Sequence, residues 1–169
     1  MNNQQFVNTV MDIVMNTFST PLHCDYFPAC SGCDFQGQEL VPPVFSSLQE
    51  FFADLVPNLE IPLIYQEPQG WRFRAKLAVR GDAAFPLIGL FQRGTHNVVS
   101  IPNCPLHHGA ILRSYQKVRQ TMIDFQITPY DECKGVVRYL QFLVEKKSQT
   151  VQLSIVVNLS EPTNKLHAW

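Results

Sequence analysis

The chain has 169 residues, a formal net charge of −1, 46% hydrophobic and 16% charged residues. That composition supports a buried core and excludes wholesale disorder. It contains no apolar run of about 18 residues that could cross a membrane, and bulk charge alone points to no nucleic-acid partner. The length suits one ordinary domain or one and a half small ones. A nucleotide-cofactor domain of roughly 150–200 residues would fill it by itself. The opening Met1-Asn2-Asn3-Gln4-Gln5 has no basic region and no small-residue cleavage site. A secretory leader is therefore not expected, and a cytoplasmic location is.

In chain order, residues 4–18 read as a helix, because Phe6, Val10, Val14 and Phe18 recur at i, i+4 with Val7, Met11 and Met15 beside them. Residues 21–45 hold three cysteines, Gly32, Gly37 and Pro42-Pro43, and read as irregular chain. Ser47 with Glu50 has the capping-box spacing and predicts a short helix closed by Pro57, with Leu48, Phe51, Phe52 and Leu55 on its apolar face. From Trp71 the period becomes two. Trp71, Phe73, Ala75, Leu77 and Val79 alternate with Arg72, Arg74, Lys76, Ala78 and Arg80, which predicts a half-buried strand over 71–80 with a cationic outer face. Strands are expected over 86–93 and 97–101, and a helix over 109–123 through Ile111, Leu112, Tyr115, Val118 and Met122. A hairpin follows over 136–145 and 150–158. Val136, Arg138, Leu140, Phe142 and Val144 share one face, Val151, Leu153, Ile155 and Val157 do likewise, and Glu145–Gln149 turn the chain. The expected fold is α+β: a mixed, mainly antiparallel sheet with packed helices and a cysteine-rich loop at one side.

The charge is segregated. Residues 1–70 carry eight acids and no Lys or Arg, whereas residues 71–119 carry eight bases against the single acid Asp82, a net +7. A dense basic segment is the usual footprint of a polyanion, although neutralisation by the acidic segment explains it equally well at this level. Five cysteines occur, as Cys24-x5-Cys30-x2-Cys33, then Cys104 within Pro102-Asn103-Cys104-Pro105, then Cys133. An odd count without a leader argues against a disulfide framework. Both zinc and an iron–sulfur cluster accept four cysteines. Three local ligands plus one distant Cys-Pro match cluster ligation more closely than paired zinc knuckles, with buried, unliganded cysteines as the remaining reading. Cys133 stands alone and reads as a small hydrophobe. His23, His107 and His108 flank the cysteine segments and could support or replace a ligand.

These stretches resemble one family. Cys24-x5-Cys30-Ser31-Gly32-Cys33, Gly70-Trp71-Arg72-Phe73-Arg74-Ala75-Lys76-Leu77, Gly89-Leu90-Phe91-Gln92-Arg93-Gly94-Thr95-His96, Ile101-Pro102-Asn103-Cys104-Pro105 and Gly135-Val136-Val137-Arg138-Tyr139-Leu140 follow in order and at spacings similar to those of class I, S-adenosylmethionine-dependent RNA uracil-5-methyltransferases of the iron–sulfur, 23S rRNA type. The resemblance covers residues 22–158. It implies a [4Fe–4S] cluster on Cys24, Cys30, Cys33 and Cys104, with zinc as the alternative metal. It also implies RNA as partner, rRNA ahead of tRNA. On this reading the chain divides into an N-terminal helix (1–20), a cluster loop (21–45), a central RNA-binding α+β domain (46–158) and a tail (159–169).

The family's methyltransferase domain has no counterpart in the pattern. No two glycines are spaced Gly-x-Gly, so no S-adenosylmethionine loop is recognisable, and Cys133 is out of place for a catalytic nucleophile. The chain alone is therefore expected to be inactive and to work with a methyltransferase domain or subunit, which would bring the S-adenosylmethionine. Arg72, Arg74 and Lys76 would track RNA phosphates along the strand, and Phe91, Arg93 and His96 would meet phosphate or a splayed base near the next turn. A zinc-binding RNA-interaction module without enzymatic activity is the competing reading.

Overall fold

A computed structural model describes residues 23–33, 43–53, 55–56, 61–62 and 69–159. The helix expected at 4–18 and the tail beyond Leu159 lie outside them. By compactness the chain forms two units, one of residues 1–23 with 35–67 and one of residues 24–34 with 68–169. The cysteine triplet therefore belongs with the C-terminal unit rather than with the chain on either side of it.

In the first unit, helix α1 spans Pro43–Ala53. It begins four residues before the capping-box serine. Proline's fixed φ and missing N–H suit a first helical turn, and this outweighs the Ser47–Glu50 signal. After Ala53 the amides of Leu55 and Val56 both return to the Phe52 carbonyl, at 3.1 and 2.9 Å, so the last turn tightens before Pro57 is reached. Phe51 and Leu55 are exposed and Phe52 is half-buried, with the two phenyl rings edge to face at 5.2 Å.

The second unit is a five-stranded sheet in the order β3-β2-β1-β4-β5, built from β1 (Arg74–Gly81), β2 (Pro86–Phe91), β3 (Val98–Ser100), β4 (Val137–Val144) and β5 (Val151–Val157). Helix α2 (Gly109–Asp124) connects β3 to β4. Every strand pair is antiparallel. Parallel pairing among the described residues is confined to the isolated bridges Arg72–His107 and Pro129–Val137. The α+β class thus stands, with a sheet more uniformly antiparallel than expected.

Alternation fixes the core. Ala75, Leu77 and Val79 of β1 are buried beside Ile88 of β2 and Leu140, Phe142 and Val144 of β4, while Arg74 and Lys76 face out. Helix α2 contributes Ala110, Ile111, Tyr115, Val118 and Met122 to the core at i, i+4 spacing. The Tyr115 hydroxyl donates to the Ile88 carbonyl at 3.0 Å, which satisfies the one polar atom of a ring that is otherwise fully buried. Gly89 has no room for a side chain, because a Cβ there would run into the Val99 carbonyl of β3.

The hairpin differs from its expected parity. A register shift lies between Val137 and Tyr139, so the inward residues are Val137, then Leu140, Phe142 and Val144, and not Val136 and Arg138. One extra residue in the strand, a bulge, re-aims the side chain it carries. No helix among the described residues is long and apolar enough to cross a membrane.

Candidate metal centre and nucleic-acid face

The strand expected to start at Trp71 starts at Arg74. Residues 70–72 leave the sheet and pair instead with the segment that follows Cys104. Gly70 N–H donates to the Pro105 carbonyl at 2.9 Å and Arg72 N–H to Leu106 at 2.8 Å, while His108 N–H returns to the Arg72 carbonyl at 2.9 Å. The Arg72 side chain turns the other way and donates from Nη2 to the Gly32 carbonyl at 2.9 Å. One residue therefore holds the Cys104 segment with its backbone and the Cys30–Cys33 segment with its guanidinium. Three further links fasten the triplet loop to the sheet. Cys30 bridges Gln92, Arg93 donates to the Cys33 carbonyl at 3.3 Å, and Asn103 N–H donates to the Tyr26 hydroxyl at 3.1 Å.

All five cysteines are free thiols. Cys24, Cys30 and Cys33 are half-buried and Cys104 is buried. Their fields overlap: Cys30 feels Cys33 and Cys24, Cys104 feels Cys24, and Arg72 acts on both. Burial pushes the Cys30 thiol above its ordinary pKa, opposed by the Gly32 N–H, which approaches Sγ at 3.4 Å. Burial likewise raises Cys104, opposed by the backbone N–H groups of Leu106 and His107. Burial thus favours the protonated, poorly nucleophilic form of Cys30 and Cys104, while the N–H groups beside these two sulfurs favour the thiolate that a metal would require. The chemistry of this donor set fits a thiolate-ligated metal group. Among the described residues, however, no three His, Cys, Asp or Glu side chains converge closely enough to hold a single ion.

His107 is buried, its Nδ1 lacks a hydrogen-bond partner, and burial, aided by Arg72, lowers its pKa to about 4, so the ring is neutral. His108 caps α2, its Nδ1 accepting from Ala110 N–H at 3.2 Å, and stacks on Phe73 at 4.7 Å. His23 is exposed. Cys133 is exposed as well, in a turn ordered by the Asp131 carboxylate, which corrects its expected burial.

The basic ladder is shorter than the pattern implied. Arg74 and Lys76 stand exposed on the outer face of β1, Lys76 with its ammonium 5.1 Å from the Tyr139 ring. Arg72 and Arg93 are engaged with the cysteine loop. Phe91 and His96 meet edge to face at 6.2 Å beside the β2–β3 turn. Trp71 is 54% exposed and carries the Arg72 guanidinium at 5.1 Å, so it is not a core residue. Tyr130, Arg138 and Tyr139 join this outer face; alternation with Leu140 and Phe142 marks Tyr139, but no sequence pattern marks Tyr130 or Arg138. They come from a loop and a bulge, where no periodic signal exists. Their aromatic-plus-basic composition is the one available hint.

A scan against protein-family models returns no match. Among curated proteins, the chain is 38% identical over 143 residues to an uncharacterized RNA methyltransferase of Protochlamydia amoebophila, across 83% of this chain and 36% of that protein. It is 27% identical over 146 residues to the 23S rRNA (uracil(747)-C(5))-methyltransferase RlmC of Halothiobacillus neapolitanus, across 80% of this chain and 37% of the relative. It is 20% identical over 149 residues to the 23S rRNA (uracil(1939)-C(5))-methyltransferase RlmD of a Marinomonas species, across 86% and 32%. Among solved structures, it shares its fold with the Pyrococcus abyssi tRNA (uracil-54, C5)-methyltransferase crystallised with S-adenosyl-L-homocysteine, at a TM-score of 0.58 and 16% identity over 90% of this chain and 36% of that one. The chain spans about a third of the length of the relatives it matches, and over that span it is homologous to proteins named RNA methyltransferases, 23S rRNA (uracil-C(5))-methyltransferases among them.

Proposed function

We propose that this chain is the iron–sulfur, RNA-binding portion of an RNA (uracil-C5)-methyltransferase acting on rRNA, with S-adenosylmethionine binding and methyl transfer carried by a catalytic part outside these residues. The observation that carries the reading is that Cys30 and Cys104, from two distant segments, share the fields of Arg72 and Cys24, with Cys33 acting on Cys30 and N–H groups facing the sulfurs of Cys30 and Cys104. Cys24, Cys30, Cys33 and Cys104 would hold a [4Fe–4S] cluster. Such a cluster would supply a cross-link rather than electrons, since methylation at a uracil carbon needs a nucleophile and a base. The cross-link orders residues 24–33 against residue 104 and thereby fixes the turn that carries Phe91, Arg93 and His96. Arg74 and Lys76, two residues apart on one strand face, sit roughly 6–7 Å from each other. That spacing matches successive phosphates, and Arg93 and His96 extend the contact.

The test is anaerobic reconstitution with iron and sulfide. The wild-type chain should turn brown, with broad absorbance near 400 nm, and bind about four irons. Cys30→Ser should lose the colour and melt at a lower temperature. A colourless protein that takes up one zinc instead would favour the non-enzymatic zinc module. An unchanged melting temperature for Cys30→Ser would remove the structural role of the loop.

A further inference from the structure

We propose that Arg80 and Arg138, braced on the ring of Tyr130, form a phosphate-binding site for single-stranded RNA on the outer face of the sheet. The proposal rests on the reading above and adds to it a site remote from the cysteine loop. Arg80, near the end of β1, has the strand parity of Arg74 and Lys76 and so lies on their face of the sheet, with the small Ala78 covered between them. Its guanidinium carbon lies 5.4 Å from the centroids of both Phe91 and Tyr130. Arg138 is the bulge residue of β4, and the extra residue turns its guanidinium over the same Tyr130 ring at 4.5 Å. The Lys76–Tyr139 pair lies alongside, because Tyr139 is the cross-strand partner of Ala78.

Two like charges on one ring repel each other. Among the described residues, Arg80 and Arg138 have these ring contacts and, for Arg80, a bond from Nη1 to the Val79 carbonyl, and neither has a carboxylate partner. The Arg138 Nε is buried with no hydrogen-bond acceptor. That buried donor is out of an external anion's reach, but an anion held between the two guanidinium groups relieves the repulsion between them. The geometry also decides which anion. Stacking uses the faces of a guanidinium and leaves its edge N–H groups in plane, the arrangement that grips a phosphate with two donors. Half-exposed Phe91 and Tyr139 flank the pair and offer rings to unstacked bases, which a duplex would not present. No periodicity in the sequence singles out this site, because Tyr130 and the bulge contribute half of it.

The probe is a fluorescein-labelled 12-nucleotide single-stranded RNA of mixed sequence, titrated by anisotropy at several salt concentrations. Wild type should bind, with affinity falling steeply as salt rises. The double variant Arg80→Gln, Arg138→Gln should bind at least tenfold more weakly at 0.1 M salt, with a log–log salt slope shallower by about 0.7 for each phosphate no longer neutralised. Lys147→Gln in the β4–β5 turn, which removes one exposed charge elsewhere, should change little. Should the double variant fold poorly, phenylglyoxal modification of the wild-type chain read by mass spectrometry replaces it. RNA should then protect Arg80 and Arg138 at least threefold. Equal affinity and slope in the Gln variant, or no protection of either arginine while RNA is bound, overturns this site and leaves the proposed function standing. A wild-type chain that binds no RNA overturns both.

Discussion

Arg72 ties the two cysteine segments together, and Arg72→Ala tests that link directly. The substitution leaves the backbone pairing of Arg72 with Leu106 and His108 in place and removes the guanidinium bond to the Gly32 carbonyl, 2.9 Å long and partly buried. The cation–ring pairing with Trp71 goes too, but it joins sequence neighbours and does not fasten the loop. A hydrogen bond from a charged donor contributes about 1.5–3 kcal/mol. At about 1.4 kcal/mol per factor of ten, opening of the 24–33 loop should become roughly ten- to hundredfold more frequent. The assay is native-state hydrogen exchange on the metal-free protein, followed at the Cys30 amide, which donates to the Tyr26 carbonyl at 2.8 Å. Its exchange should accelerate by that factor, while amides of β1 and β4 keep their wild-type rates. Arg72→Lys should recover little, because an ammonium retains the charge but not the fork geometry. Unchanged protection at Cys30 in the alanine variant would refute the idea that Arg72 holds the loop.

Two other outcomes follow from the core and from the buried imidazole. Gly89→Ala places a methyl group against the Val99 carbonyl and should cost about 1–3 kcal/mol, seen as a lower melting temperature; a melt equal to wild type would mean that β3 does not hold its place. His107 has a folded-state pKa of about 4 against 6.5 for the free side chain. The unfolded chain therefore binds its proton first on acidification. The stability from keeping this ring neutral is fully present above pH 6.5 and is lost as pH falls toward 4, by at most about 3 kcal/mol. The group facing it is the Arg72 guanidinium. Comparing metal-free wild type with His107→Asn at pH 7 and pH 5 isolates this contribution from the carboxylates; the same pH dependence in both proteins would refute it.

Much of the second unit is legible in the sequence because its signal is local. The alternation from Arg74 to Leu77 survives in the exposed and buried positions of β1 and breaks at Ala78, which is buried, while the apolar spacing from Ala110 to Met122 survives in α2. The departures have physical causes that a linear pattern does not carry. The alternating pattern extends back to Trp71, but Gly70 and Arg72 pair with residues 105–108 and Trp71 is exposed, so the strand begins later than its pattern. Pro43 outcompetes the capping box for the start of α1. The bulge at Arg138 reverses the parity of everything before it in β4. The four cysteines can be named from spacing, but the engagement of Arg72 and Arg93 with the loop's carbonyls cannot. An arginine in a basic strand has the same identity whether it meets a phosphate or a carbonyl 40 residues away.

That separation of 40 residues has a consequence for how the chain is made. The three clustered thiols are synthesised first, yet the surface that receives them is assembled from residues 70–72, 92–93 and 103. The central strand of that surface is itself flanked on one side by β4, which ends only at Val144. During translation the early thiols must therefore wait, unsheltered, while more than a hundred further residues emerge, at roughly 5–20 residues per second. The interval is several seconds in which oxidation or capture of a stray metal competes with correct docking. Docking of the three thiols is thus a late event, set by the arrival of a strand that contributes no cysteine to the set.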